Sequence, residues 1–156
     1  MREPANARAD YRHFHPITTR WSDNDAYGHV NNVVYYSWFD TVVNQFLIAN
    51  GVLDIEHSPV IGLVVETRCN YFEAVSFPDL VTAGLRVAQL GSSSVRYEVG
   101  IFRESQHSAA AQGHFVHVYV DRISRRPAAI PAPMRALLET IRAGQTASAP
   151  RQVGAA

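Results

Sequence analysis

Residues 31 to 51 read NNVVYYSWFDTVVNQFLIANG, the one long apolar helix this chain can build. From Tyr35 the apolar residues fall at Tyr35, Trp38, Phe39, Val42, Val43, Phe46 and Leu47. Steps alternating between three and one lay a single stripe along a 3.6-residue period. Ser37, Asp40, Thr41 and Asn44 take the other side. Asn31 or Asn32 suits the N-cap, and Asn50-Gly51 suits a C-terminal stop. About eighteen residues at about 1.5 Å each make a rod of roughly 27 Å. A rod so long and so aromatic needs a large partner surface, most simply a curved sheet.

The rest of the chain supplies that sheet. A short strand is expected over residues 13–20, before the helix. After a linker through His57, Ser58 and Pro59 the pattern changes to period two. Leu63, Val65, Thr67, Cys69 and Tyr71 are expected on one face, with Val64, Glu66, Arg68 and Asn70 on the other. Ser76-Phe77-Pro78-Asp79 breaks the run. Val81, Ala83, Leu85 and Val87 then alternate with Thr82, Gly84, Arg86 and Ala88. Gly91 to Ser94 is a turn; Val95, Tyr97, Val99 and Ile101 mark the next strand, and residues 109–121 the last. These last three strands read as an antiparallel meander. Met134, Leu137, Leu138 and Ile141 make a short closing helix. The order predicts an α+β domain in two layers, helix on sheet.

Size and charge narrow the function. With 156 residues the chain suits one domain over 13–143, flanked by loose tails at 1–12 and 144–156. Apolar residues are 47% and charged residues 18%, the balance of a globular protein. Lys plus Arg and Asp plus Glu both total 14, so net charge recruits no nucleic acid. A lone Cys69 excludes an internal disulfide and reads as a small buried residue. No apolar run reaches the roughly 18 to 20 residues of a membrane span. The first ten residues are polar and lack the apolar core of a signal peptide, so the cytoplasm is the expected compartment.

The chemistry gathers just before the helix. Residues 20 to 32 read RWSDNDAYGHVNN, with Asp23 and Asp25 one residue apart and Gly28-His29 following. The first amides of a helix lack intrahelical acceptors, and that end favours negative charge. A nucleophile or base and an oxyanion site therefore share one segment. Taken alone, Asp25 reads as a turn or capping acid. Asp23 reads as structural. His29 either orients Asp25 or substrate, or hydrogen-bonds the loop.

Several motifs together resemble one family. Ser22 to Asn32, with Tyr35 and Phe39 following, is similar to the 4-hydroxybenzoyl-CoA thioesterase-like branch of the hotdog-fold acyl-CoA thioesterases. Arg68-Cys69-Asn70-Tyr71, Asp79 before a strand, Leu90 to Ser94, and Val118 to Asp121 before a basic turn sit where that branch places similar residues. The resemblance spans roughly residues 13 to 142. It implies a five-stranded antiparallel sheet wrapped around the long helix. It also implies twofold pairing of the strand near 60–72, giving a homodimer or a dimer of dimers with the site near that interface. By position, Asp25 matches the catalytic carboxylate and Asn32 the residue whose backbone N–H polarises the thioester carbonyl. Gly28 matches the glycine that shapes the turn, and Tyr35 an aromatic on the first helical turn. Asn32 stands where the best-known member carries an aromatic, and His29 follows Gly28, so hydroxybenzoyl specificity does not carry over.

The expected activity is hydrolysis of an acyl-CoA to a carboxylic acid and CoA, with no cofactor beyond the CoA of the substrate. One carboxylate and one amide suffice, because a thiol with a pKa of about 8.5 leaves without an acid. Beside Asp25, Asn32, Gly28 and His29, the substrate contacts expected are Tyr35, Asn31, Arg68, Asn70, Ser93 and Arg96. Ser93 and Arg96, with Ser92 and Ser94, either meet CoA phosphates or, residue by residue, read as an ordinary solvated hairpin. No metal is expected: His13, His15, His114 and His117 match no ligand spacing, and 114 and 117 fall on opposite strand faces. Two competing functions share the fold, an enoyl-thioester hydratase or dehydratase and a non-catalytic acyl-thioester-binding protein.

Overall fold

A computed structural model describes residues 3–144. Five strands form one antiparallel sheet: β1 (His13–Thr18), β2 (Val60–Tyr71), β3 (Leu80–Leu90), β4 (Ser94–Arg103) and β5 (Ala111–Asp121). Their spatial order is β1-β3-β4-β5-β2, so β3, β4 and β5 are the meander and β1 and β2 are the two edges. The long helix α1 (Asn32–Ala49) lies against one face, and a short helix α2 (Ala132–Glu139) follows the sheet. This is the hotdog arrangement, a sheet wrapped around one long helix.

The helix forms where its caps and stripe dictate. Asn31 is the N-cap, and its side chain accepts the Val33 N–H at 3.1 Å. Tyr35, Trp38, Phe39, Val42, Val43, Phe46 and Leu47 are all buried. They meet Val81, Ala83, Leu85 and Val87 of β3, Val95, Tyr97, Val99 and Ile101 of β4, and Phe115 and Tyr119 of β5 in one core. Truncating one such buried aromatic typically costs about 3–5 kcal/mol. Helix α2 contributes Met134 and Leu138 to the same core. The chain then joins β3 through the pairs Val87 N–H to Ile141 C=O and Ala143 N–H to Val87 C=O.

Two expectations change here. First, β2 does not alternate throughout. Its register against β5 slips between Val64 and Glu66, a bulge at Val65. Leu63 therefore shares a face with Glu66, Arg68 and Asn70, opposite Val118, Val116, His114 and Gln112. An extra residue switches every side chain beyond it to the other face. Second, the segment before β1 is not loose over residues 3–12. Asn6 N–H donates to Gln112 Oε1 at 2.6 Å, and Gln112 Nε2 donates to the Pro4 carbonyl at 3.1 Å. Tyr11 packs edge-on against Phe102, forming with Ala109 a small second core on the outer face of the sheet. The expected C-terminal tail, save Gly144, lies outside the described residues.

Candidate active site

The acidic loop is fastened from both sides. Asp23 is buried and takes three donors from Arg20: the backbone N–H at 2.7 Å, Nε at 3.0 Å and Nη2 at 2.8 Å. Its carbonyl accepts the Asn31 N–H at 2.9 Å, which sets the chain into the helix. Asp23 is thus structural. Asn24 Oδ1 accepts the Phe77 N–H at 3.0 Å, and Ser76 Oγ donates to the Gly28 carbonyl at 2.9 Å. The Val30 N–H reaches the Val75 carbonyl at 2.7 Å.

Within this frame Asp25 opens a tight turn. The Gly28 N–H donates to the Asp25 carbonyl at 3.0 Å, and the Asp25 N–H to the His29 carbonyl at 2.9 Å. Gly28 has φ of +81°, a conformation that costs a side-chain-bearing residue strain. The Asp25 carboxylate accepts only the Tyr27 N–H, at 2.9 Å, among the described residues. It is half-buried, with one oxygen left for other partners.

The helix start leaves one donor open. Asn31 satisfies the Val33 N–H through its side chain and the Val34 N–H through its carbonyl. The Asn32 N–H, the first of the helix, has no acceptor among the described residues. Asn32 itself lines a cleft of about 280 Å³, with His29, Val30, Tyr35 and residues 71–74. Tyr71 Oη donates to the Asn32 carbonyl at 2.8 Å and so ties the end of β2 to the helix start. Tyr35 is buried edge-on to Tyr71, ring centres 5.0 Å apart, and burial pushes its phenol up to about 12. Both phenols stay protonated at neutral pH, since burial raises Tyr71 as well. Burial likewise pushes the Cys69 thiol up to about 11, which leaves no thiolate for catalysis.

The structure therefore brings His29, Asn32 and Tyr35 together in the wall of the cleft, with Asp25, Gly28 and Asn31 beside them in the loop though not lining the cleft itself. It does not bring Arg68, Asn70, Ser93 or Arg96 there. Arg68, Asn70 and Arg96 line a polar cavity of about 260 Å³ on the outer face, away from the helix, with Gln112 and His114. Arg96 Nη2 contacts His114 Nδ1 at 3.2 Å, and His114 Nε2 contacts Glu66 Oε1 at 2.5 Å. Ser93 lies in the β3–β4 hairpin, where its carbonyl accepts the Tyr119 N–H at 2.7 Å. Sequence reasoning missed the opposite wall of the cleft, Tyr71 to Ala74. The signal was the placement of Tyr71 at the end of an edge strand, but nothing local shows that this end meets the helix start. Among the described residues, no group of three or more His, Cys, Asp or Glu is placed to hold a metal ion.

Comparison with known proteins fixes the family. The model of the thioesterase-like superfamily matches residues 19–138, from the acidic loop to the closing helix. The chain belongs to the thioesterase-like superfamily. The PA5185 protein from Pseudomonas aeruginosa strain PAO1 is 54% identical, with a TM-score of 0.89 over 92% of this chain and 100% of that one. A gentisyl-coenzyme A thioesterase, BH1999, superposes with a TM-score of 0.72 at 23% identity, over 81% of this chain and 99% of its own. Slr0204, a 1,4-dihydroxy-2-naphthoyl-CoA thioesterase from Synechocystis, gives 0.73 at 15% identity, over 80% and 93%. At these two identities the likeness is one of fold. This member of the superfamily also matches the uncharacterized protein YsmA of Bacillus subtilis, at 23% identity over 88 residues. That match takes in 56% of this chain and 59% of the relative's length. No helix of the described residues is long and apolar enough to cross a membrane.

Proposed function

We propose that this enzyme hydrolyses acyl-CoA thioesters, with Asp25 as nucleophile or general base and the Asn32 N–H as the oxyanion donor. The observation that carries the reading is the Asn32 amide, unpartnered at a helix start in a residue that lines a cleft beside the acidic loop. Negative charge growing on the thioester oxygen is stabilised by a fixed amide and by the positive end of the helix. As nucleophile, an Asp25 oxygen attacks the carbonyl carbon and CoA leaves as the thiolate. Water then opens the acyl-aspartyl anhydride to the free acid. As base, Asp25 takes one proton from the water that attacks. Neither route calls for a metal or an added cofactor, and a CoA-linked substrate agrees with a cytoplasmic enzyme.

The assay is thiol release from a panel of acyl-CoAs, run beside loss of enoyl absorbance with crotonyl-CoA. Thiol release that survives EDTA is expected. Loss of enoyl absorbance without thiol release makes the enzyme a hydratase instead, and binding without either reaction makes it a non-catalytic acyl-thioester carrier.

Pairing of β2 with its twin completes the proposal. β2 is an edge strand whose free side runs along Leu63 to Arg68, all exposed, while the three residues at each end are half-buried. Leu63, Val64 and Val65 keep 37%, 47% and 60% of their surface exposed. A long, apolar, unpaired edge invites a second strand. A twofold axis between Val65 and Glu66 sets Gly62 opposite Cys69 and Ile61 opposite Asn70. The bulge at Val65 puts each of these pairs on a common face, as a continuous sheet requires. Analytical ultracentrifugation at micromolar concentration is expected to show a dimer or a dimer of dimers. A monomer there removes this part of the proposal.

A further inference from the structure

A second cavity lies at the other end of the helix. It holds about 160 Å³ between α1, the linker after it, the start of β2, β5 and α2. Its walls include Leu47, Leu53, Ile61 and Met134, with Asn44 and Arg122 also lining it. A dry apolar cavity of about this size takes a guest the size of a benzene ring.

One wall is out of character. His117 is only 4% exposed, yet neither ring nitrogen has a hydrogen-bond partner among the described residues, and Nδ1 is wholly buried. The rings of Phe115, Tyr97 and Tyr119 surround it, with centres 4.8, 5.8 and 5.9 Å away. Gly62 gives it room: a Cβ there would stand 2.8 Å from Nδ1. Burial pushes the imidazole down to about 4, so it is neutral and offers one donor and one acceptor. A buried polar group left unpaired costs stability, and most such groups in folded proteins have a partner. The mechanism above makes no use of it.

The twofold pairing of β2 proposed above sets what would lie nearby. Within one protomer, Asn32 and Leu47 stand fifteen positions apart on one helix, roughly 22 Å. Across the pair, the Ile61–Gly62 rim of this cavity faces the partner's Asn70 and Cys69. Tyr71, next along, is tied to the helix start. Each cavity then adjoins the other protomer's cleft.

We propose that this cavity receives the far end of the acyl group bound at the partner's cleft, and that His117 selects tails carrying a hydroxyl or carbonyl. This rests on the acyl-CoA reading and on the dimer. The apolar walls accept carbon, and the imidazole accepts from a hydroxyl or donates to a carbonyl at the tail.

The test compares straight-chain acyl-CoAs from butanoyl to dodecanoyl with their ω-hydroxy counterparts, in the wild type and in His117→Phe. At the length that reaches the cavity, the ω-hydroxy substrate is expected to be favoured roughly 10- to 100-fold in kcat/KM, the cost of leaving a buried polar group unpaired. That preference should collapse in His117→Phe, while acetyl-CoA, too short to reach, keeps its rate. A preference unchanged by the substitution, or absent at every length, overturns the proposal with hydrolysis intact. Should the wild type hydrolyse none of these, the acyl-CoA reading fails first, and binding then judges the cavity. 1-Hexanol is titrated into wild-type protein carrying ¹⁵N-labelled histidine. Movement of the His117 ring nitrogens supports the site, and ring signals that stay fixed to the solubility limit overturn it. The same titration applies if His117→Phe does not fold.

Discussion

Asp25→Asn should lower kcat by at least about 10²- to 10⁴-fold, the usual contribution of a general base. A lost nucleophile costs no less. KM should move much less, since the substitution removes charge and not the contacts to the CoA arm. The fold should survive. The carboxylate oxygen that accepts the Tyr27 N–H at 2.9 Å is replaced by an amide oxygen in the same place. Asp23→Asn makes the control. That side chain is buried under three donors from Arg20, so the amide leaves a donor facing donors. About 1–3 kcal/mol of stability should be lost, with turnover per folded molecule kept. Thermal midpoint and kcat on both variants separate the two acids. Near wild-type turnover in Asp25→Asn would remove Asp25 from the chemistry and reduce it to the acid of a turn.

Asn32→Pro is the matching test of the oxyanion donor. Proline deletes the Asn32 N–H, which has no acceptor among the described residues. It sits at the first position of α1, where proline is well tolerated because that N–H is outside the helical ladder. The preceding Asn31 has φ −60° and ψ 138°, an extended conformation that a following proline accepts. The helix should therefore form, and kcat should fall about 10²- to 10³-fold, the value of one oxyanion donor. Asn32→Ala keeps the amide and should retain most of the activity. Equal loss in both variants would mean that the side chain matters and the amide does not. The far-ultraviolet circular dichroism of the proline variant should show that the helix is present.

The sequence by itself determined the elements whose causes are local. Asn31 and Asn50-Gly51 punctuate a three-and-four pattern, and the observed helix runs from Asn32 to Ala49. Alternation in 81–88 and 95–101 set the inner faces of β3 and β4, because side chains on a strand have period two whatever lies beside it. The acidic loop was legible for the same reason: a turn glycine, a cap and two acids act over a few residues. Tertiary structure decided everything that depends on a neighbour distant in sequence. The bulge at Val65 exists only as register against β5, so the face of Leu63 could not be read from β2 alone. Arg68, Asn70 and Arg96 carry the right chemistry for a CoA arm, yet strand pairing turns them to the outer face beside His114. Residues 3–12 look polar and loose, but Gln112 and Phe102 hold them through hydrogen bonds and ring packing. Asn32 keeps a free amide because Asn31 takes the next two, and it opens on a cleft because Tyr71 arrives from the far end of β2. Local pattern fixes what a segment can be, whereas burial and pairing, which sum over the whole chain, fix what it meets.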